Sequence, residues 1–288
     1  MQNFEDPPIM SQTLSNQLAE CDRKQLEADY ADQREVDRRS MRAEEFEAKY
    51  SNTKWYSIAR KSRGYATTWL KSHCQGRIAL DYCCGRGETS VQMAQAGAFV
   101  HGIDISEESV RTAERRLADN GFADRSQMQV MDAENLSFAD DTFDVIVCSG
   151  VLHHLDLEQA YPELARVLKP KGKILCLEAI AHNPVFRLYR KRTPKLRTAW
   201  EVDHILGRQD IGKATSHFKS VDIRFFHLCT IAAVPLRKSR WFGPVLSVCE
   251  TIDSLLMRIP GLRWWAWQMV FELSQPRKGQ AGVAKEAA

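Results

Sequence analysis

The chain has 288 residues, 44% hydrophobic, 27% charged and 9% aromatic, a composition that excludes collagen-like, disordered and disulfide-scaffold proteins and supplies a core of roughly 150 to 250 residues. No run approaches the roughly 18 to 20 consecutive apolar residues of a membrane-spanning helix, and the N-terminus lacks a basic-then-apolar leader, so a cytoplasmic protein is expected. The net charge of +3 is uneven: −5 over residues 1–50, −2 over 51–181 and +10 over the remaining 107, which asks for an anionic substrate, phospholipid surface or nucleic acid.

Residues 1 to about 12, around Asp6-Pro7-Pro8, are expected to be irregular. From Leu14 to Tyr50 a thin apolar stripe (Leu14, Leu18, Cys21, Leu26, Tyr30) predicts a helical arm, either solvated or serving as a lid or dimer contact. Trp55, Tyr56, Tyr65 and Trp69 share one face if 50–70 is a single helix. Strands then alternate with helices: strand 77–82, helix 88–96, strand 99–103, helix 107–120 closed by Gly121, and a strand near 128–131. Strand 143–148, helix 157–168 stopped by Lys169-Pro170-Lys171-Gly172, and strand 173–180 continue the rhythm. This pattern predicts an α/β fold with a doubly wound, mostly parallel sheet. Beyond Asn183-Pro184 the rhythm gives way to a basic helical stretch at 186–205, a strand at 221–228, a helix at 245–257 and a strand at 265–273. The expected boundaries are an N-terminal arm (1–49), a ligand-binding core (50–181) and a C-terminal region (182–288).

The eight cysteines form no C-x-x-C pair and no cluster with histidine, so no metal is expected and the thiols read as buried hydrophobes; Cys83 and Cys84 share that reading. Chemistry concentrates at Leu80-Asp81-Tyr82-Cys83-Cys84-Gly85-Arg86-Gly87, where a strand turns through glycines into a helix. A dinucleotide-binding loop wants a third glycine at position 90, where Ser90 stands. Asp81 at the strand end would repel a pyrophosphate but pair with a cationic amino-acid head group. Asp104 ends the second strand, where a carboxylate can accept both ribose hydroxyls, and Asp132-Ala133 follows the third, placed to meet an adenine. Each acid can equally cap the helix after it. Together they fit adenosine at one end of a ligand and an amino acid at the other, as in S-adenosylmethionine.

With the run Asp132-Ala133-Glu134-Asn135-Leu136-Ser137-Phe138-Ala139-Asp140-Asp141-Thr142-Phe143-Asp144, the stretch 78–180 resembles the class I S-adenosylmethionine-dependent methyltransferases of small-molecule and lipid type. Cys83 replaces the family's first loop glycine. The resemblance implies a Rossmann-like, seven-stranded sheet completed by an antiparallel hairpin, with 221–228 and 265–273 as its last strands. It also implies S-adenosyl-L-methionine as cofactor, held by Asp81, Cys83, Gly85, Gly87, Asp104, Ile105, Asp132, Ala133, Cys148 and Ser149.

Methyl transfer needs an aligned acceptor and, for a hydroxyl, a proton acceptor. His153, leaving the fourth strand, is the first candidate base; His204, beside Asp203, is the second; either could instead be a packed or capping histidine. Tyr56, Tyr65, His154, Arg187, Arg190 and Trp200 are candidate acceptor contacts. The segment Ala181-His182-Asn183-Pro184 with its basic helix is similar to class I relatives of lipid and polyketide pathways, and six bases without an acid between Arg187 and Arg197 could hold a carboxylate or phosphate or simply face solvent. Five of the seven tryptophans lie in the basic C-terminal third, which suits core packing, a bilayer interface or a hydrophobic acceptor.

The expected function is O-methylation of a hydroxyl or carboxylate on a small hydrophobic metabolite in a biosynthetic pathway. C-methylation of a quinone-type ring or lipid at the membrane surface is the nearer alternative, and RNA methylation or non-catalytic binding the farther. The partner is a small-molecule acceptor, anionic or hydrophobic, with no nucleic acid expected; peripheral membrane contact and a homodimer stay open.

Overall fold

A computed structural model describes residues 9–196, 198, 200–201 and 204–278. Seven strands form one sheet in the order β3-β2-β1-β4-β5-β7-β6: β1 (Ile78–Tyr82), β2 (Phe99–Asp104), β3 (Ser126–Val130), β4 (Phe143–Ser149), β5 (Leu168–Ala179), β6 (Phe218–Phe226) and β7 (Gln268–Pro276). The first five pair in parallel, whereas β7 runs antiparallel to both β5 and β6. The expected doubly wound sheet with a terminal antiparallel hairpin is therefore present.

Alternation along the strands builds two cores, because successive side chains point to opposite faces. On one face Ala79, Val145, Val147 and Leu175 pack under α3 (Arg60–His73), α4 (Glu88–Gln95) and α5 (Glu107–Asp119). On the other Leu80, Ile146, Cys148 and Cys176 meet α6 (Leu157–Val167) and α8 (Arg208–His217). A third cluster joins Trp55, Phe186 and Trp267 to α9 (Phe242–Leu256) through Leu246. Both candidate C-terminal strands form, but offset: the first begins at Phe218, and Trp265, the expected start of the second, ends a 3-10 turn (Leu262–Trp265) preceding β7.

Four local expectations change. Residues 9–12 open α1 (Ile9–Ser40), whereas 1–8 lie outside the described residues. The aromatic segment splits into a 3-10 helix, Ser51–Ile58, and α3, which separates Tyr56 from Tyr65. β5 starts at Leu168 and runs through Pro170, a position that needs no amide donor because a register shift between Phe143 and Val145 breaks the ladder there. In the basic stretch α7 (Pro184–Arg192), capped by the Asn183 side chain, is followed by a 3-10 turn at Pro194–Leu196, and Trp200 and Glu201 are again helical.

The arm departs most from a solvated helix. α1 runs across the C-terminal ends of the parallel strands, and the short α2 (Ala43–Lys49) packs on the 3-10 helix that follows it. Ion pairs do what a thin apolar stripe cannot: Arg23 reaches Glu134 at 2.6 Å, Lys24 reaches Asp132 at 2.8 Å, and Arg86 reaches Glu35 at 3.0 Å. Asp32 accepts hydrogen bonds from the Ser106 hydroxyl and the Glu108 amide, at the N-terminus of α5, where an acid is favoured.

Candidate functional site

The sheet order reverses between β1 and β4, and open α/β sheets bind ligands at that crevice. A cavity of about 400 Å³ lies there, closed on its outer side by α1. Asp81, Cys83, Gly85, Asp104 and Ile105 contribute to its inner wall, with Asp132, Ala133 and Ser149 beside them.

Asp81 is 2% exposed and accepts a hydrogen bond from the Ser90 hydroxyl, so the residue standing where a dinucleotide loop wants glycine is bound to the β1 carboxyl. Burial pushes the Asp81 pKa up to about 7. Asp104 accepts the Gly85 amide at 2.8 Å and the Ser106 amide at 2.9 Å; its pKa is raised because burial outweighs these bonds. The two carboxyls receive only neutral donors among the described residues, so both suit a ligand that carries a cation and hydroxyls.

Asp132, the expected adenine contact, meets the Lys24 ammonium and accepts the Glu134 amide. Glu134, not anticipated as a site residue, is buried and accepts Arg23 and the Asp156 amide, which ties the third-strand loop to the arm. Cys83 adopts φ +58°, the left-handed region that favours glycine. Gly87 does not border the cavity: at φ +73°, a Cβ there would stand 2.9 Å from that of Ala113, so this glycine serves close packing of the loop against α5. Cys148 is fully buried among the strand side chains, leaving Ser149 at the cavity, and burial pushes the Cys83, Cys84 and Cys148 thiols up, as befits inert core thiols.

His153 and His154 sit in a 3-10 turn after β4, rings 4.2 Å apart. The His153 Nδ1 lies 2.8 Å from Oε2 of Glu178, a wholly buried β5 residue whose Oε1 accepts the Val151 and Leu152 amides at 2.8 Å. A carboxylate so held fixes the tautomer, placing the proton on Nδ1 and leaving Nε2 basic. His154 borders the cavity and pairs through Nδ1 with Glu27 of α1 at 3.0 Å. Burial opposes protonation of His154, but Glu27 and Glu201 outweigh it and raise its pKa. His153, His154 and Glu201 bring ligand atoms within 4.8 Å of one another, although the Arg190 guanidinium, 3.5 Å from Glu201, already competes for that carboxylate.

The remaining candidates separate. His204 lies at the surface, stacked on Trp200 at 3.6 Å, with its Nδ1 on the Trp200 carbonyl; Asp203, its expected partner, and Arg197 lie outside the described residues. Trp200 also takes the Arg23 guanidinium at 4.5 Å, so it contacts the arm. Tyr65 packs on Phe226 at the β6 edge, and Arg187 is exposed on α7. Arg190 donates to the Glu201 carbonyl, and Tyr56, 44% exposed, abuts the buried Trp267.

Residues 80–176 match the family model described as a methyltransferase domain. A ubiquinone/menaquinone biosynthesis C-methyltransferase of Geotalea daltonii is 35% identical over 139 residues, 47% of this chain and 58% of that protein. A demethylmenaquinone methyltransferase of Halalkalibacterium halodurans is 35% identical over 118 residues, 39% of this chain and 48% of that protein. The chain thus spans about half the length of these curated relatives. The geranyl diphosphate C-methyltransferase of Streptomyces coelicolor, solved with Mg2+, geranyl diphosphate and S-adenosyl-L-homocysteine, superposes with a TM-score of 0.53 at 16% identity, over 75% of this chain and 80% of that one. Residues 80–176 thus form a methyltransferase domain, set in a seven-stranded sheet with the Rossmann-like fold of the class I S-adenosylmethionine-dependent methyltransferases.

Proposed function

We propose that the chain is a C-methyltransferase acting on a hydrophobic, quinone-type ring in its reduced, hydroxylated form. The observation that carries this reading is the His153–Glu178 pair, next in the turn to His154 of the cavity wall: a ring carbon becomes nucleophilic when a neighbouring hydroxyl loses its proton, and Nε2 of a histidine held through Nδ1 is the group to take it. The C-methyltransferase activity by which the Geotalea daltonii relative is named favours carbon over oxygen as acceptor, so C-methylation replaces O-methylation as the leading reading.

S-adenosylmethionine supplies an electrophilic methyl group on a sulfonium sulfur. Within this proposal Asp81 holds the cationic amino group, Asp104 the ribose hydroxyls, and Asp132 with Ala133 the adenine. Cys83, Gly85, Ile105 and Ser149 provide the close walls. Residues 50–181 then form the cofactor-binding part, 1–49 its cover and 182–288 the acceptor side. His153 accepts the hydroxyl proton on Nε2 and shares the resulting charge with Glu178, whose buried carboxylate stabilises an imidazolium; once the ring carbon has taken the methyl group, its own hydrogen leaves as a proton to solvent, the ring becomes aromatic again and His153 returns its proton to the oxygen.

The test offers the protein methyl-labelled S-adenosylmethionine with a 1,4-naphthohydroquinone bearing one unsubstituted ring carbon and a short isoprenoid chain. A labelled carbon–methyl bond supports the reading. A methyl ether returns the function to O-methylation, and labelling of neither position overturns the quinone assignment.

A further inference from the structure

Helix α9 is amphipathic in the reverse sense. Leu246, Glu250 and Asp253, spaced i, i+4, i+7, form its buried face, while Val248, Ile252 and Leu255, 62%, 42% and 60% exposed, form a stripe on the opposite side. Glu250 and Asp253 are the helix's only charged residues, and both turn inward. Glu250 accepts Arg60 from α3, and the Asp253 carboxylate accepts the Leu228, Cys229 and Thr230 amides. The polar groups therefore tether the helix to the domain, and its outer face carries no charge. In water that arrangement leaves apolar side chains exposed which a neighbouring non-aqueous phase would cover.

The stripe does not stand alone. Trp241 and Ile259 flank α9, 57% and 50% exposed. An apolar groove lined by Pro184, Val185, Ile231, Pro235 and Trp265 is formed on the 3-10 segment Cys229–Leu236, which packs against α9. Arg240, Arg258 and Arg263 stand in the same stretch of chain, Arg237 and Lys238 pair with Glu47 of α2, and between positions 237 and 263 both acids are buried. An apolar face flanked by arginines, on a helix that exposes no acid of its own, is complementary to one phase above others, acyl chains beneath anionic head groups.

We propose that α9 and this groove seat this protein on the surface of an anionic lipid bilayer, the apolar stripe entering the head-group boundary and the flanking bases meeting lipid phosphates. Among the described residues no helix is long and apolar enough to cross a membrane, so the contact is interfacial. The inference does not rest on the methyl-transfer reading, because vesicle binding is read without turnover.

The test is co-sedimentation of the full chain with phosphatidylcholine vesicles containing about 30% phosphatidylglycerol, and with phosphatidylcholine alone, at low and high salt. The expected result is binding to the anionic vesicles that weakens at least tenfold on removing the anionic lipid or raising the salt. The triple variant Val248→Ser, Ile252→Ser, Leu255→Ser loses at least tenfold in binding while its circular dichroism and melting temperature stay at the wild-type values. Arg240→Glu with Arg258→Glu abolishes the anionic preference. Equal sedimentation of wild type and triple variant overturns the proposal. So does a concentration-dependent dimer in ultracentrifugation, lost in the triple variant, with no vesicle binding; the stripe would then face a second copy.

Discussion

Replacing Glu178 by glutamine separates a fixed base from a merely packed histidine. The carboxylate makes three bonds of 2.8 Å with no solvent around it: two backbone amides on Oε1 and His153 Nδ1 on Oε2. Glutamine fits the same space, and its carbonyl can keep both amides. Its NH2 group then faces Nδ1, which must accept, so the proton moves to Nε2 and the lone pair needed for catalysis is lost. Each retained bond falls from charge-assisted to neutral strength, about 1 kcal/mol apiece, so stability drops by about 2 kcal/mol at most, or roughly 4 to 8 °C in melting temperature. Loss of a general base costs about 10² to 10⁴ in turnover. Glu178→Gln should therefore lower kcat on the naphthohydroquinone by that factor with cofactor affinity nearly unchanged, and nitrogen-15 NMR should report an Nε2–H tautomer at His153. A folded variant within threefold of wild-type kcat refutes the base assignment.

Three further outcomes follow from local geometry. Asp104→Asn, preferable to alanine because Asp104 also accepts two backbone amides, should weaken S-adenosylmethionine binding about tenfold in calorimetry, and unchanged affinity would remove the ribose role. In the loop after β1, Cys83→Gly should stabilise by up to about 1 kcal/mol, relief of the left-handed backbone exceeding glycine's entropic cost, whereas Gly87→Ala should cost about 2 to 4 kcal/mol against Ala113; urea unfolding with the reverse order would contradict this. His227 is buried, near Ser62 and Thr230, and burial with the Arg63 charge lowers its pKa to about 4. The unfolded chain takes up this proton first, so stability declines as pH falls from about 6.5 towards 4, by up to about 3 kcal/mol; His227→Asn, which tolerates the position's φ of +70°, should flatten that slope in pH-dependent unfolding.

The core was readable because apolar alternation and helix stops are local signals, and the acids of β1 and β2 stand at fixed offsets from the glycines. Glu178 was not, since one carboxylate within an apolar strand gains meaning only when β5 lies beside β4 and meets the turn at 151–153. The closure of the cavity by α1 was hidden for a related reason. A sparse apolar stripe signals little burial, and the bonds that seat the arm, Arg23 to Glu134 and Glu27 to His154, join residues more than a hundred positions apart. His204 shows the opposite failure: an acid beside a histidine reads as a reactive pair in sequence, but helical geometry turns the ring onto Trp200 four residues back.

The bond between Ser90 and Asp81 has a bearing on how such a loop could ever change ligand. Acquiring a dinucleotide grip requires a glycine at 90 and the loss of the β1 acid, since a carboxylate there repels a pyrophosphate. Taken alone, Ser90→Gly strips a buried carboxyl of its hydroxyl donor and leaves it the residue-90 amide, and loss of Asp81 alone strands a buried serine hydroxyl; each intermediate loses a buried hydrogen bond, a cost of about 1 kcal/mol or more. The two positions are thus locked together by sign epistasis. A drifting sequence crosses from one nucleotide chemistry to the other only through a valley, which helps keep a common strand-loop-helix faithful to a single cofactor.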